Sequence, residues 1–217
     1  MVREIPESEL SGARPQAIAA GHVRSVQTGR VAALGPKGVP SAFVKRPIAG
    51  SIRVEPLGLQ GDEQADPRVH GGPDKAVYGY AHANYALWLE AFPQHSRLLI
   101  PGGLGENLTL DGCDEQSVNV GDVMRIGSVV LQITEPRQPC FKFGLRFADT
   151  TMVHAMVKNG MCGWYYRVLE PGTLAAGDTV SLLQRPFPAW SIDRVNRRIV
   201  QRRGSPAERA EFASLGL

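Results

Sequence analysis

GDVMRIGSVVLQITE, residues 121–135, decides the fold class. It holds two short apolar runs, DVMRI and SVVLQITE, behind a Gly121-Asp122 turn signal. Runs this short, bounded by turn residues, read as strands. Similar pieces lie outward on both sides. HVRSV, SAFVKRPI, SIRVEPLGL, KAVYGY and ENLTL precede the pair, and WYYRVLE and DTVSLL follow it. In SIRVEPLGL, Ile52 and Val54 alternate with Ser51 and Arg53, the pattern of a half-buried strand. Pro171-Gly172 and Gly177-Asp178 add breakers beside apolar runs. Many short strands at intervals of about 8 to 12 residues predict a barrel or sandwich.

Helices interrupt this pattern. Tyr85, Trp88, Leu89 and Phe92 follow helical spacing and predict a helix over 82–92. Met152, Val153, Met156 and Val157 mark another, capped near Asp149 to Thr151. After Pro186 and Pro188 the texture changes to two helices broken at Gly204. Ser205, Pro206 and Glu208 there form a capping box with proline at the first helical position. Residues 1–20 read as a flexible lead-in, 21–187 as the β domain and 188–217 as a short helical tail.

Composition narrows the function classes. The chain has 217 residues, enough to bury a substantial core, and its net charge of +3 permits an anionic small ligand without demanding nucleic acid. Arg194, Arg197, Arg198, Arg202 and Arg203 crowd the tail, but no aromatics are interleaved as a single-strand binder requires. A solvated face or partner-docking surface is therefore expected, and no nucleic acid. No run of 18 apolar residues exists and MVREIPESEL has no apolar leader, so neither membrane span nor secretion signal is expected. Three cysteines without a CxxC argue against a disulfide framework or structural zinc, and a cytoplasmic setting is expected.

Two stretches carry chemistry. TEPRQPCFKFG, residues 134–144, sets Cys140 between Arg137 and Lys142, and positive neighbours favour the thiolate. Burial as a small apolar residue is the alternative. By contrast, Cys113 is expected near the surface and Cys162 in a small buried position. GLQGDEQADPRVHGGPDKAVYGY, residues 58–80, is charged and glycine-rich between apolar strands. Its Gly71-Gly72 pair suits a close backbone approach or an anion nest, to which Lys75 and Lys45 would add charge. His70 reads either as hydrogen-bonded structure or as a functional group. No second His or Cys lies three to five residues away, so it is not a zinc ligand by spacing. The other four histidines read as structural. No G-x-S-x-G elbow, P-loop, flavin or nicotinamide motif is present.

FVKRPI, GLQGDEQAD, RVHGGPDKAVYGY, GENLTLDG, VGDVMRIGSVVLQITEPRQPC, GWYYRVLEPG and GDTVSLLQRP occur in this order over residues 22 to about 187. Together they resemble the MOSC family, the domain at the C-terminus of molybdenum-cofactor sulfurases, and within it the stand-alone bacterial YiiM-type branch. The resemblance implies a mainly β, MOSC-type barrel with a few peripheral helices and a short C-terminal helical appendage. It implies a groove for a molybdenum-pterin cofactor, with Cys140 as metal ligand and catalytic residue. Lys45, His70, Gly71, Gly72, Lys75, Asn107 and Arg137 would bind the cofactor. Asp62 also matches a family position, and Trp164 is a groove wall or core residue.

The implied activity is reduction of N-hydroxylated compounds, such as 6-hydroxylaminopurine-like bases, to amines, with electrons from a separate reductase. The alternative is a non-enzymatic cofactor or sulfur carrier using a Cys140 persulfide. Asn84 stands where the branch carries His, and Lys37 where it carries a Thr-Arg pair. The tail resembles the first two helices of a three-helix domain. Because the barrel motifs end before Pro188, residues 190–217 are expected to be dispensable for cofactor binding.

Overall fold

A computed structural model describes residues 18–201 and 205–215, so most of the lead-in, Arg202, Arg203 and Gly204 lie outside the described residues. In chain order the first half gives β1 (Ile18–Thr28), β2 (Ala32–Leu34), β3 (Val39–Ser41), β4 (Arg46–Pro47), β5 (Ile52–Glu55), β6 (Gly58–Leu59), α1 (Pro67–His70), β7 (Val77–Ala81), α2 (Asn84–Ala91) and β8 (Leu108–Asp111). The second half gives β9 (Val123–Ile126), β10 (Val129–Pro136), α3 (Phe141–Phe147), α4 (Thr151–Asn159), β11 (Trp164–Glu170), β12 (Gly172–Leu174), β13 (Thr179–Gln184), α5 (Ile192–Gln201) and α6 (Pro206–Ser214).

Seven strands close a barrel in the order β13-β9-β10-β11-β7-β8-β1, and β1 pairs back onto β13. All neighbours run antiparallel except β7 and β8. A parallel pair needs a crossover, and α2 lies within it. Register identifies the lumen. Trp164 faces Gly79, Tyr166 faces Ile133 and Leu131 faces Met124, so these residues share one face. Trp164, Tyr166, Leu131, Ile133 and Met124 are fully buried there. A Cβ on Gly79 would sit 2.8 Å from the Tyr166 ring, so glycine is required between these aromatics. Trp164 is thus core rather than groove wall. The paired Tyr78 and Tyr165 point to the opposite, outer face.

The structure corrects several expectations. SAFVKRPI is not one strand: β3 ends at Ser41, and pairing resumes only at β4, a two-residue addition to β1. SIRVEPLGL folds back on itself as β5 and β6, which join β12 in a separate three-stranded sheet. The first strand already begins at Ile18, inside the expected lead-in. The predicted helices over 82–92 and around Met152–Val157 are α2 and α4. The Ser205–Glu208 capping box is present at α6. Cys113 is buried, its thiol against the Ala20 carbonyl.

The tail is packed against the barrel. Trp190, Val195 and Leu215 bury themselves on Val120, and Ile192 enters the main core. Backbone bonds from Ile192 N to Val118 O (3.0 Å) and Asp193 N to Glu115 O (2.7 Å) fix the start of α5. No helix among the described residues is long and apolar enough to cross a membrane.

Candidate functional site

On the outer face of β7 and β11 lies an open cleft enclosing about 610 Å³ of empty space, part of it continuous with solvent. Lys45, His70, Lys75, Asn107, Arg137 and Cys140, distant in sequence, all line it. Gly71 and Gly72 stand beside the cleft rather than in its wall. A Cβ on Gly71 would fall 2.0 Å from the Gln64 side-chain oxygen, and Gly72 has φ +84°. These glycines therefore serve the turn that delivers His70 and Lys75.

One wall is electrostatically closed. The Asp62 carboxylate accepts from Lys45 Nζ at 2.6 Å, Gly29 N at 2.7 Å and Asn107 Nδ2 at 2.8 Å. Both partners of the Lys45–Asp62 pair are buried. Asn107 is also consumed: its Oδ1 accepts from Tyr78 N at 3.1 Å, and Nδ2 donates to Gln27 O at 3.2 Å. The preceding Glu106 fixes this corner by accepting from Gly102 N, Leu104 N, Thr109 Oγ1 and the Tyr85 hydroxyl. A buried pair whose carboxylate oxygens are both hydrogen-bonded is architecture, and Lys45 has no charge to spare. Lys75 is partly committed as well, 3.5 Å from Glu135 and bonded to Val69 O. Its loop is pinned by Asp74, which pairs with Arg167, and by Thr134 Oγ1 donating to Asp74 O at 2.7 Å.

The other wall is open. Arg137, only 5% exposed, lies 5.1 Å from the Tyr78 ring, 5.4 Å from Phe43 and 5.6 Å from Phe143. It donates to Met156 Sδ at 3.5 Å and to Tyr165. Among the described residues it makes no ion pair with a carboxylate. Burial opposes its charge, but Tyr78, Tyr165 and Cys140 outweigh that and hold the guanidinium protonated. Cation–π contacts of roughly 0.5–2 kcal/mol each soften the cost of a buried charge without neutralising it.

Cys140 is the N-cap of α3. Burial pushes its thiol up. The His70 hydrogen bond, the Arg137 charge and the Lys142 backbone N–H together outweigh this and bring it down to about 7. The other thiols behave oppositely: burial, with Asp114 and Asp122, drives Cys113 up to about 11, and burial raises Cys162. Only Cys140 is prepared to act as a thiolate at neutral pH.

Sequence reasoning missed the aromatic box. Tyr78 and Tyr165 are register partners, so alternation in KAVYGY and WYYRVLE held the signal, but the strand pairing was needed to read it. Phe43 and Phe143 had no local signal. Asn84 lies away from the cleft and donates to the buried Glu115 carboxylate at 3.0 and 3.1 Å.

Residues 66–181 match the profile of the MOSC domain. The chain is 39% identical over 160 residues to Protein YiiM of Escherichia coli (strain K12), covering 74% of this chain and 71% of that one. It is 36% identical over 198 residues to a protein named Reductase from Gibberella moniliformis (strain M3125 / FGSC 7600), covering 90% of this chain but 35% of that much longer protein. The crystal structure of YiiM from Escherichia coli superposes with a TM-score of 0.74 and 26% identity, over 92% of this chain and 85% of that one.

Proposed function

The chain belongs to the MOSC domain family, and from that membership we propose that its cleft holds a molybdenum-pterin cofactor and reduces N-hydroxylated compounds to amines. Bases like 6-hydroxylaminopurine are the substrate class. The observation that carries this reading is the open wall: a buried guanidinium without a carboxylate, beside a thiol held at about 7. An anionic ligand supplies the missing counter-charge, and a metal takes the thiolate as a soft ligand. Among the described residues, no three His, Cys, Asp or Glu side chains cluster to hold a metal. A metal on Cys140 must therefore arrive with other ligands, as the dithiolene of a pterin provides.

When bound, the group supplies the two-electron chemistry that turns R–NHOH, two electrons and two protons into R–NH2 and water. The chain's own residues prepare the place. Cys140 Sγ is the ligand, and His70 fixes its direction by hydrogen bond. Arg137 meets anionic charge from a box of aromatic rings that keeps water off its other faces. Lys142 adds charge at the mouth, while the Lys45–Asp62–Asn107 network keeps the opposite wall in place. In this reading electrons come from a separate reductase.

Incubating protein from a cofactor-competent host with 6-hydroxylaminopurine and reduced methyl viologen tests the reading. Adenine should form as the dye is oxidised. Loaded protein that gives no turnover would instead favour a cofactor or sulfur carrier.

A further inference from the structure

We infer that α5 is part of the positioning machinery of the site: Asn196 holds Gln138, and through it the loop that presents Arg137 and Cys140. The inference rests on the reading that this loop is the working wall of the cleft. Gln138 Nε2 donates to Asn196 Oδ1 at 3.2 Å, and Asn196 is 3% exposed. Pro139 joins Gln138 to Cys140, and its fixed φ passes a shift of one residue on to the next.

Besides the bonds of Arg137 to Tyr165, of His70 and the Lys142 backbone N–H to Cys140 Sγ and of Phe143 N to Cys140 O, the loop has two further holds among the described residues. Arg137 N donates to Gly163 O at 3.2 Å, and the Arg137 guanidinium reaches Met156 Sδ. Gly163 is itself fixed, its N–H donating to Glu115 at 2.8 Å, and the Glu115 carbonyl accepts from Asp193 N at the start of α5. Two routes from α5 therefore converge on residues 137–140, one through Glu115 and Gly163 and one through Asn196. A helix that needed only to dock would do so with apolar residues, because a buried amide costs free energy unless it is paired. Here the buried amide spends its hydrogen bond on the cysteine loop. α6 differs: it is held through Trp190, by Phe212 at 5.5 Å between ring centroids and Glu211 at 2.6 Å. The tail is accordingly not one dispensable unit.

Alkylation of the cofactor-free full chain by iodoacetamide at pH 7 reads the loop directly, without metal or substrate. Cys113 and Cys162 are buried with raised pKa, so the rate reports Cys140. Asn196→Leu and Gln138→Leu should each change the alkylation rate by roughly fivefold or more, as Cys140 loses its fixed place and exposure in the cleft. The double variant should differ from wild type no more than either single one. Asn196→Asp keeps the acceptor and should stay within about twofold of wild type. Phe212→Ala should lower the melting temperature and leave the rate unchanged. A wild-type rate in folded Asn196→Leu or Gln138→Leu, or an equal change in Phe212→Ala, would overturn the inference. Because turnover is not measured, neither result depends on the proposed reductase activity.

Discussion

The two walls of the cleft contain similar side chains and end in opposite electrostatic states. On one, the Lys45 ammonium meets Asp62, which Gly29 and Asn107 also bond. On the other, Arg137 is as deeply buried but has aromatic rings and a thiol where a carboxylate would be expected. Counting charges along the sequence makes Lys45 and Arg137 equivalent. Pairing separates them: a cation matched by the fold supports the fold, and one left unmatched is available to a ligand.

The contrast breaks most visibly on the closed wall. Asp62→Ala would strand a buried ammonium and should cost about 3–5 kcal/mol of unfolding free energy in urea titrations. A loss below about 1 kcal/mol would mean that the pair is not structural. On the open wall, Arg137→Met strands no carboxylate. Its stability should stay within about 1 kcal/mol of wild type, or rise. Bound pterin should nevertheless fall at least tenfold in weakly loaded protein, a loss of about 1.4 kcal/mol in binding. Equal destabilisation by both variants would erase the distinction between the walls.

A smaller effect appears in pH dependence. The Cys140 thiol lies at about 7 in the folded chain against an ordinary 9.0. Below pH 7 both states hold the proton and the group contributes nothing. Between 7 and 9 the unfolded chain binds more protons, so stability should rise with pH. Cys140→Ala should lose this component of the slope, and Arg137→Met should reduce it. Above pH 9 the raised pKa of Cys113 acts in the opposite direction, so the comparison belongs below that point. The smallest effects should come from Cys113→Ala and Cys162→Ala: about 1 kcal/mol of lost packing and undiminished turnover per folded molecule.

The sequence made local features legible and left spatial ones hidden. Strand pairs such as DVMRI with SVVLQITE could be read because their apolar runs and turns are contiguous, as could α2 and the capping box of α6. SAFVKRPI misled because Phe43 and Lys45 leave the ladder to line the cleft, which no alternation pattern announces. α3 was missed because FKFGLRF is short and carries a glycine at its centre. The motif residues were identifiable, but their division into two walls was not. Lys45 meets Asp62 across 17 positions, and the Arg137 box draws on Phe43, Tyr78 and Phe143. The bond from Gln138 to Asn196 spans 58 positions and had no sequence signal.

The central claim is that the open wall exists to hold a molybdenum-pterin group. Molybdenum and pterin, assayed per chain in protein purified from a cofactor-competent host, test it most directly. The account predicts stoichiometric amounts of both in wild type and in Lys75→Met, and a clear loss of both in Arg137→Met that remains folded. Wild-type protein free of both, or Arg137→Met protein as fully loaded as wild type, would contradict it.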